Sequence, residues 1–392
     1  MKVAIAGGKL QGVEASFLAR CLGWKVMLID RDPNVPARGL CNSFYQCDIA
    51  RDHSTLREIM KKADFVVPAV ENVAALKSLG RSAASMGIPF AYDEKTYFIS
   101  RSKNRSNRFF QSLDIPVPKP WPQSGFPVVV KPSNLSGSEG VEKICTEEEL
   151  STFSDRIKGG QKRWVVQEYL EGPSYSLEVF GFEDRYETLQ VTDLEMDDRY
   201  DCRRVIAPSI IPKPLETEIK KIACRIAKEL HLIGVMDVEV IDHRGTLKVL
   251  EIDARLPSQT PTVVLKSTGI NMMELLAKVF VQRVLPILSN VVELRGTIYE
   301  HIRVSREGIE FLGEHMMAES GPLKEITRFF GADMALTNFE EKKLPWVATL
   351  IVTGEDRKDA WLKRNQVIEN ILEYLEGMAS PKSGKEQIHS PG

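Results

Sequence analysis

The chain has 392 residues, 43% of them hydrophobic and 27% charged, which is the composition of a soluble globular protein. A net charge of -2 gives no basic surface for nucleic acid, and no apolar run approaches the ~18 residues of a membrane span. The six scattered cysteines form no CxxC pair, so we expect reduced thiols in a cytoplasmic protein of two or three domains.

The chain opens with a strand, a glycine-containing turn and a helix. The turn runs from Gly7 to Gly12 and a second strand ends at Asp30, so the opening is a βαβ unit. Ligands bind at the carboxyl ends of such strands, which makes Lys9, Gln11 and Glu71 candidate contacts of a small polar substrate. A dinucleotide fingerprint would need glycine in place of Lys9. An NAD-dependent oxidoreductase is therefore an alternative that lacks its usual loop.

The next segment combines a basic helix with a serine- and glycine-rich loop. The pattern predicts a short strand over Ile88–Tyr92 and one helix over Asp93–Leu113. A later strand ends at Lys131 and is followed by the loop Ser133–Val141. Backbone N–H groups in such a loop cradle anions, and the lysine adds a point charge for phosphate. The loop predicts a phosphate site, with a flexible hairpin connection as the alternative.

An acidic hairpin follows in the second half of the chain. With a three-residue loop, His243 to Gly245, its strands pair Asp237 with Glu251. Strand alternation then puts one set of residues on a carboxylate face, Asp237, Glu239, Glu251 and Asp253, and another on a core face, Val238, Val240, Leu250 and Ile252. Neighbouring carboxylates repel unless water or cations neutralise them, and Mg²⁺ takes such oxygen ligands. The alternative is a solvated acidic surface.

The order of these parts resembles the ATP-grasp superfamily of carboxylate-amine ligases, over nearly the whole chain. The run Glu251–Val263 is the most specific part of the match, and it is similar to the ligases of pyrrolysine biosynthesis. The implied fold is α/β, with a Rossmann-like parallel sheet followed by two ATP-grasp subdomains that clamp the nucleotide. The implied divisions are an N-terminal domain, a central lid, a C-terminal domain and a disordered tail, at 1–92, 93–174, 175–377 and 378–392.

The resemblance implies a ligase that uses ATP and Mg²⁺ and releases ADP and phosphate. ATP would phosphorylate the carboxylate of (3R)-3-methyl-D-ornithine or D-ornithine. The ε-amine of L-lysine would then attack the acyl phosphate and form an isopeptide bond. We expect neither nucleic acid nor a membrane as partner, and the sequence leaves a homodimer open.

Residue roles follow from the same resemblance. ATP contacts are implied for Lys103, Lys131, Ser136, Gly137, Ser138, Gly140, Glu168, Tyr169 and Leu170. Mg²⁺ ligands are implied at Glu239, Glu251 and Asp253. Arg255 and Lys131 are the implied catalytic residues, since cations stabilise the charge that develops on a transferred phosphoryl group. Substrate contacts are assigned to Lys9, Gln11, Glu71, Ser176, Glu178, Asp237 and Ser258.

Two positions depart from the superfamily pattern. Ser174 stands where many members have a glutamate that contacts ribose, and Asp253 stands where asparagine is typical. Another amino-acid ligase of the D-alanine type shares the ATP machinery and would differ in its substrate groups. A nucleotide-sensing protein without turnover is a further alternative.

Overall fold

The computed structural model describes residues 1–135, 137–157, 164–288 and 294–379. The predicted ATP contact Ser136 lies outside the described residues, as does the predicted tail from residue 380 onward. Residues 378 and 379, which were assigned to that tail, instead belong to the last helix. Within the described ranges, no helix is long and apolar enough to cross a membrane.

The N-terminal part alternates strands and helices. Its elements are β1 (Lys2–Ala6), α1 (Leu10–Cys21), β2 (Lys25–Asp30), β3 (Ser43–Gln46), α2 (His53–Met60), β4 (Phe65–Pro68) and α3 (Val73–Met86). The strands form a parallel sheet in the order β3-β2-β1-β4. Gly7 ends β1 with φ +116°, and a Cβ there would lie 2.2 Å from the carbonyl oxygen of Ala69, so only glycine fits this turn.

Two predictions for this part were wrong or incomplete. The expected strand Ile88–Tyr92 is reduced to a single bridge between Phe90 and Val66. The sequence analysis also missed β3, whose four residues are exposed or half-buried and carry no strong apolar pattern.

The middle part contains two helices and a small antiparallel sheet. Its elements are α4 (Glu94–Ser100), α5 (Lys103–Ser112), β5 (Val128–Pro132), β6 (Glu142–Ile144), α6 (Glu147–Ile157) and β7 (Trp164–Glu168), with the strands in the order β6-β5-β7. The single helix expected over Asp93–Leu113 is broken. Ser102 takes extended backbone angles, and the N–H of Lys103 donates to the carbonyl of Ser133 at 2.9 Å. Lys103 therefore begins α5 next to the serine- and glycine-rich loop.

The C-terminal part is built on one mostly antiparallel sheet. Its first elements are β8 (Ser174–Phe182), β9 (Arg185–Thr188), β10 (Thr192–Met196), β11 (Cys202–Ala207), α7 (Lys213–Glu229), β12 (Gly234–His243), β13 (Thr246–Asp253), α8 (Thr260–Thr268) and α9 (Met272–Phe280). The later ones are β14 (Gly296–Ser305), β15 (Gly308–Phe311), α10 (His315–Ala318), β16 (Lys324–Thr327), β17 (Met334–Thr337), β18 (Trp346–Gly354) and α11 (Arg357–Ala379). The strand order is β13-β12-β8-β10-β11-β14-β18-β17-β16. The domain boundaries stay a prediction.

The acidic hairpin differs from its expected register. Arg244 and Gly245 both have positive φ and form a two-residue turn, so His243 pairs with Thr246. Asp237 therefore lies opposite Asp253, and Glu239 lies opposite Glu251. The predicted pairing of Asp237 with Glu251 was wrong by two residues, a shift that keeps all four carboxylates on one face.

Leu250 was also assigned wrongly. It is an unpaired bulge residue between Val249, opposite Val240, and Glu251, opposite Glu239. Val240 is fully buried, as the core face requires, whereas Leu250 lines a cavity on the carboxylate side. The bulge thus adds an apolar side chain to the acidic face.

Candidate active site

The four carboxylates of the hairpin form a row that meets basic side chains from other elements. The Lys103 ammonium lies 2.8 Å from Oε2 of Glu251. Burial opposes ionisation of Glu251, but the charges of Lys103 and Lys131 outweigh it and lower its pKa to about 2. Burial and the neighbouring Glu251 raise the pKa of Glu239 well above its usual range. The ionised Glu251 therefore disfavours a second negative charge on its neighbour Glu239.

Lys131 stands at the end of β5, where the sequence placed it, and is 8% exposed. Burial lowers the pKa of its ammonium to about 8, although Glu251 favours the charged form. Asp253 turns to Arg255, with 2.7 Å between Oδ2 and Nη2, while burial raises the pKa of Asp253 to about 7. Lys103 and Lys131 thus flank the carboxylate row at one cavity, and Arg255 flanks it at another.

A cavity of about 380 Å³ opens between the small sheet and the hairpin. The predicted ATP contacts on its wall are Lys103, Lys131, Ser138, Glu168, Tyr169 and Leu170. Ser174, the residue in the usual ribose position, is on the wall as well. The serine side chain is shorter than that of glutamate, so its hydroxyl cannot reach as far into the cavity.

The segment that would face an adenine is held from the side by a charged contact. Oε2 of Glu168 lies 2.5 Å from Nζ of Lys248 and accepts a hydrogen bond of 3.0 Å from the N–H of Lys119. The side chain of Glu168 is thus held by Lys248 and Lys119, and Tyr169 and Leu170 follow it on the wall of the cavity. Lys248 was not predicted, because nothing in its local sequence marks it.

A second cavity, of about 100 Å³, lies on the other side of the carboxylate row. It shares Ser138, Glu239 and Glu251 with the first cavity. Asp237 and Ser258, both predicted substrate contacts, line it. Met196 and Tyr200 line both cavities as well, so the two cavities adjoin at the carboxylates and at these residues.

Two other predicted substrate contacts lie beneath this second cavity. The Ser176 hydroxyl donates a hydrogen bond to Oδ1 of Asp237, and Glu178 is the strand neighbour of Asp237. Glu178 is fully buried, and burial raises its pKa to about 7. Burial, with the charge of Glu178, also raises the pKa of Asp237 well above its usual range. This acidic floor suits a cationic amine, because an ammonium would relieve the repulsion.

A third cavity, of about 500 Å³, lies at the carboxyl ends of the N-terminal strands. Lys9, Gln11 and Glu71 line it, so the predicted strand-end contacts are brought together. Nη2 of Arg255 lies 2.9 Å from Oε1 of Glu71, and the Gln11 amide lies beside the same guanidinium. Arg255 and Ser258 line both this cavity and the second one. Arg255 thus stands where the two cavities meet.

Residues around His315 were missed by the sequence analysis. Glu314 lines the second and third cavities, and Nδ1 of His315 lies 2.8 Å from Oδ2 of Asp201. A hydrogen bond to Asp201 raises the pKa of His315. Glu314 and His315 lie at the start of the short helix α10, distant from the hairpin in sequence, so no local pattern marks them.

The loop after Lys131 rests on this region. Gly137 has φ +60°, and a Cβ there would come within 2.8 Å of Cε1 of His315. The Ser138 hydroxyl donates to the carbonyl oxygen of Tyr200. Gly140 instead packs near Pro132, with its ideal Cβ 3.2 Å from Cγ of the proline. The loop therefore closes onto the C-terminal part through Gly137 and Ser138.

No preassembled ligand set was found for the predicted metal. Among the described residues, no group of three or more His, Cys, Asp or Glu side chains is placed to hold a metal ion. Mg²⁺ commonly takes one or two carboxylates and completes its shell with substrate phosphates and water. The facing pair Glu239 and Glu251 fits that donor set, and the raised pKa of Glu239 reflects charge that a cation would neutralise.

Comparison with known proteins assigns this arrangement of sheets and cavities to the ATP-grasp enzymes. The model of the ATP-grasp domain family matches residues 101–259. The chain is also similar in fold to a biotin carboxylase structure from Campylobacter jejuni, with a TM-score of 0.74, 16% identity and coverage of 97% of this chain and 95% of that one.

Relatives that match over nearly their whole length show to which family of ATP-grasp enzymes the chain belongs. The 3-methyl-D-ornithine–L-lysine ligase of Methanosarcina barkeri is 34% identical over 92% of this chain and 95% of its own length. That of Methanosarcina mazei is 33% identical over 96% of this chain and 97% of its own length. The chain belongs to this family of ATP-grasp ligases. The resemblance noted in the sequence is thereby confirmed, and an NAD-dependent oxidoreductase is not supported.

Proposed function

We propose that the protein joins the carboxylate of 3-methyl-D-ornithine to the ε-amine of L-lysine, with ATP as the energy source and Mg²⁺ as the metal. The observation that carries the proposal is the order of the three cavities. Glu239 and Glu251 line both the first and the second, and Arg255 lines both the second and the third. A phosphoryl donor, a carboxylate and an amine would need to meet in that order.

The first cavity suits the nucleotide. The biotin carboxylase of similar fold was solved as a β,γ-ATP complex. Lys103 and Lys131 bring two ammonium groups to the edge of this cavity, where phosphates would lie, and Ser138 follows in the closed loop. We also assign Gly137 to the nucleotide. The backbone of Tyr169 and Leu170 would contact the adenine.

The metal assignment rests on the facing carboxylates. We assign Mg²⁺ to Glu239 and Glu251 and leave Asp253 as a weaker candidate, since its carboxylate is engaged by Arg255. When bound, the ion neutralises phosphate charge and orients the transferred group. Glu251 stays ionised through its contact with Lys103, so it is ready to accept a cation.

The second cavity suits the carboxylate substrate. Asp237 would meet an amino group of an ornithine, Glu178 would add negative charge from beneath it, and Ser176 holds Asp237 in place. Arg255 points its guanidinium to the border of this cavity, where it would stabilise negative charge on the acyl phosphate. Lys131 would do the same for the transferred phosphoryl group from the other side.

The third cavity suits the attacking amine. A lysine needs acidic or amide groups for its α-amine and a cation for its carboxylate, and Lys9, Gln11 and Glu71 offer all three. The ε-amine would then extend toward Arg255 and Ser258, on the wall that the second and third cavities share. Attack there forms the amide bond and releases phosphate.

The test is product analysis by mass spectrometry. Purified protein with ATP, Mg²⁺, D-ornithine and L-lysine should yield the isopeptide, together with ADP and phosphate in equal amounts. Omitting either amino acid should stop ADP release, and replacing both with D-alanine should give no dipeptide. ADP formation that ignores the amino acids would contradict a ligase, whereas D-alanyl-D-alanine would indicate a ligase of the D-alanine type.

A further inference from the structure

Helix α8 begins without a cap from its own side chains. Its N-cap residue, Gln259, has φ 73° and ψ -61° and makes no side-chain capping bond. The first N–H groups of a helix have no partner within the helix and need an outside acceptor. Here the acceptor comes from the N-terminal part of the chain, because Oε1 of Glu14 accepts a hydrogen bond of 2.6 Å from the N–H of Thr262.

Glu14 lies on α1 and outside the walls of the three cavities. It is 1% exposed, so its carboxyl contacts protein and little water. A buried carboxyl is costly, and an apolar side chain would pack at this interface without that cost. A structural reason for keeping an oxygen here is the hydrogen bond to α8.

The hydrogen bond from Thr262 to Glu14 does not require the carboxyl group of Glu14 to be ionised. Burial raises the pKa of Glu14 to about 7, although the Thr262 hydrogen bonds oppose the rise. Its second oxygen, Oε2, has no hydrogen-bond partner among the described residues. Either protonation state keeps an acceptor oxygen toward the N–H of Thr262, and so would an amide.

The start of α8 is also the wall of the second cavity. Ser258, Gln259 and Thr260 line that cavity, two to four residues before the capped N–H. A helix end that frays would move these side chains relative to Asp237 across the cavity. The acceptor on Glu14 therefore fixes one wall of the space in which the carboxylate would react.

We propose that Glu14 is a positioning residue, which sets the affinity for the ornithine-like substrate by capping α8 from α1. This inference rests on the proposed function only in that the second cavity holds that substrate. Glu14 touches no substrate in this arrangement and acts through the backbone of residues 258–262.

The test compares two nearly isosteric variants, Glu14→Gln and Glu14→Met. The amide keeps the acceptor and should leave the KM for D-ornithine within about twofold of the wild type. The thioether removes it and should raise that KM by about tenfold, the scale of one lost buried hydrogen bond. The KM for ATP should stay unchanged in both, because the nucleotide cavity does not include α8.

Asn271 provides a matched control at the same pair of interfaces. Its Nδ2 donates to the carbonyl of Leu18 at 2.9 Å and so ties α1 to α9, away from the cavity. Asn271→Ser keeps an N-cap oxygen but loses this bond. It should lower the thermal midpoint without raising the KM for D-ornithine. If Glu14→Met fails to fold, Glu14→Asp shortens the side chain by about 1.5 Å and should act in the same direction.

Three results would overturn the inference. They are an unchanged KM for D-ornithine in the folded acceptor-less variant, an equal rise in both KM values, and a Glu14→Gln variant as impaired as Glu14→Met. A rise of the same size in Asn271→Ser would also count against it, since general loosening of α1 would then explain the effect. Two different proteins test the two proposals. If the wild type fails to ligate the amino acids, the proposed function is wrong. If Glu14→Met ligates them normally, the proposed role of Glu14 as a cap of α8 is wrong.

Discussion

Lys103 of α5 and Glu251 of β13 are joined by an ion pair of 2.8 Å between Nζ and Oε2. The pair links the middle part of the chain to the acidic hairpin, and the side chains are only 14% and 31% exposed. Glu251 is thus held ionised by a lysine that we assign to phosphate. When nucleotide and metal bind, Lys103 would pair with phosphate and Glu251 with the cation.

Replacing Glu251 with alanine should lower kcat by ~10²-fold or more, which is the scale of losing one charge-stabilising group. Steady-state ligation assays with saturating Mg²⁺ measure this. The matched control is Glu310→Ala, which removes an exposed ion pair of 2.7 Å to Arg303 and should leave kcat unchanged. Near-normal turnover of Glu251→Ala would remove the metal assignment.

Lys131 should make ATP affinity fall as the pH rises through about 8. The pKa of its ammonium is lowered to about 8 by burial, so the free enzyme loses this positive charge above that pH. Phosphate binding then requires uptake of a proton. Calorimetric titration with ATP at pH 7 and pH 9 should show the loss. Lys131→Arg stays charged and should remove the dependence, and an equally steep dependence in that variant would exclude Lys131 as its source.

Asp237→Asn should raise the KM for D-ornithine by at least ~10-fold, because an amide carries no negative charge to attract an ammonium and a lost charged hydrogen bond costs roughly 1.5–3 kcal/mol. Its effect on the KM for ATP should be small. Asp242→Asn, on the same strand but near the hairpin turn, is the control. Equal effects on both substrates would contradict the division of the cleft into nucleotide and amino-acid cavities.

Gly137→Ala should reduce kcat/KM for ATP by about tenfold, because its Cβ would come within 2.8 Å of His315 and hold the loop away from the C-terminal part. Gly125→Ala is a close control, since Gly125 has φ +65° and nothing within 4 Å of an added Cβ. In both variants the left-handed conformation of alanine lowers the free energy of unfolding by about 1–2 kcal/mol. Only the Gly137 variant should lose activity at equal stability, and loss in both would mean that backbone strain alone is responsible.

The free energy of unfolding should fall as the pH rises from about 4.5 to about 7. Glu14 has a pKa of about 7 in the folded protein and 4.5 as the ordinary value, so the folded state keeps a proton that the unfolded state has lost in this window. Stability that is complete below pH 4.5 is therefore lost by pH 7, at a slope of at most ~1.4 kcal/mol per pH unit for this group. Urea unfolding of wild type and Glu14→Gln should differ in that slope; identical slopes would place the ionisation elsewhere.

Much of the fold could be predicted from patterns of sequence. The βαβ opening, the strand ending at Lys131 and the acidic hairpin all lie where the alternation of apolar residues placed them. Local patterns succeed here because burial repeats with the period of the element. The register of the hairpin could not be predicted. Arg244 adopts positive φ, which arginine rarely does, so the shorter turn had no signal.

The site was predictable where one short motif contributes several groups. Glu239, Glu251, Asp253 and Arg255 lie in or directly after one hairpin, and all four line the second cavity, while their roles stay a prediction. Glu314 reaches the second and third cavities from a segment distant in sequence, so its position depends on tertiary packing. Glu14 is the extreme case, since its partner is 248 positions away.

The bulge at Leu250 decides the side on which half of the acidic row is displayed. With the two-residue turn and an unbroken ladder, Glu239 would pair with residue 250, and Glu251 would project to the opposite side with Val238. The extra residue reverses that parity, so that Glu251 and Asp253 join Glu239 and Asp237. The length of the turn and the presence of the bulge therefore have to change together. A relative that lengthens this turn by one residue can dispense with the bulge, whereas either change alone would dismantle the cleft.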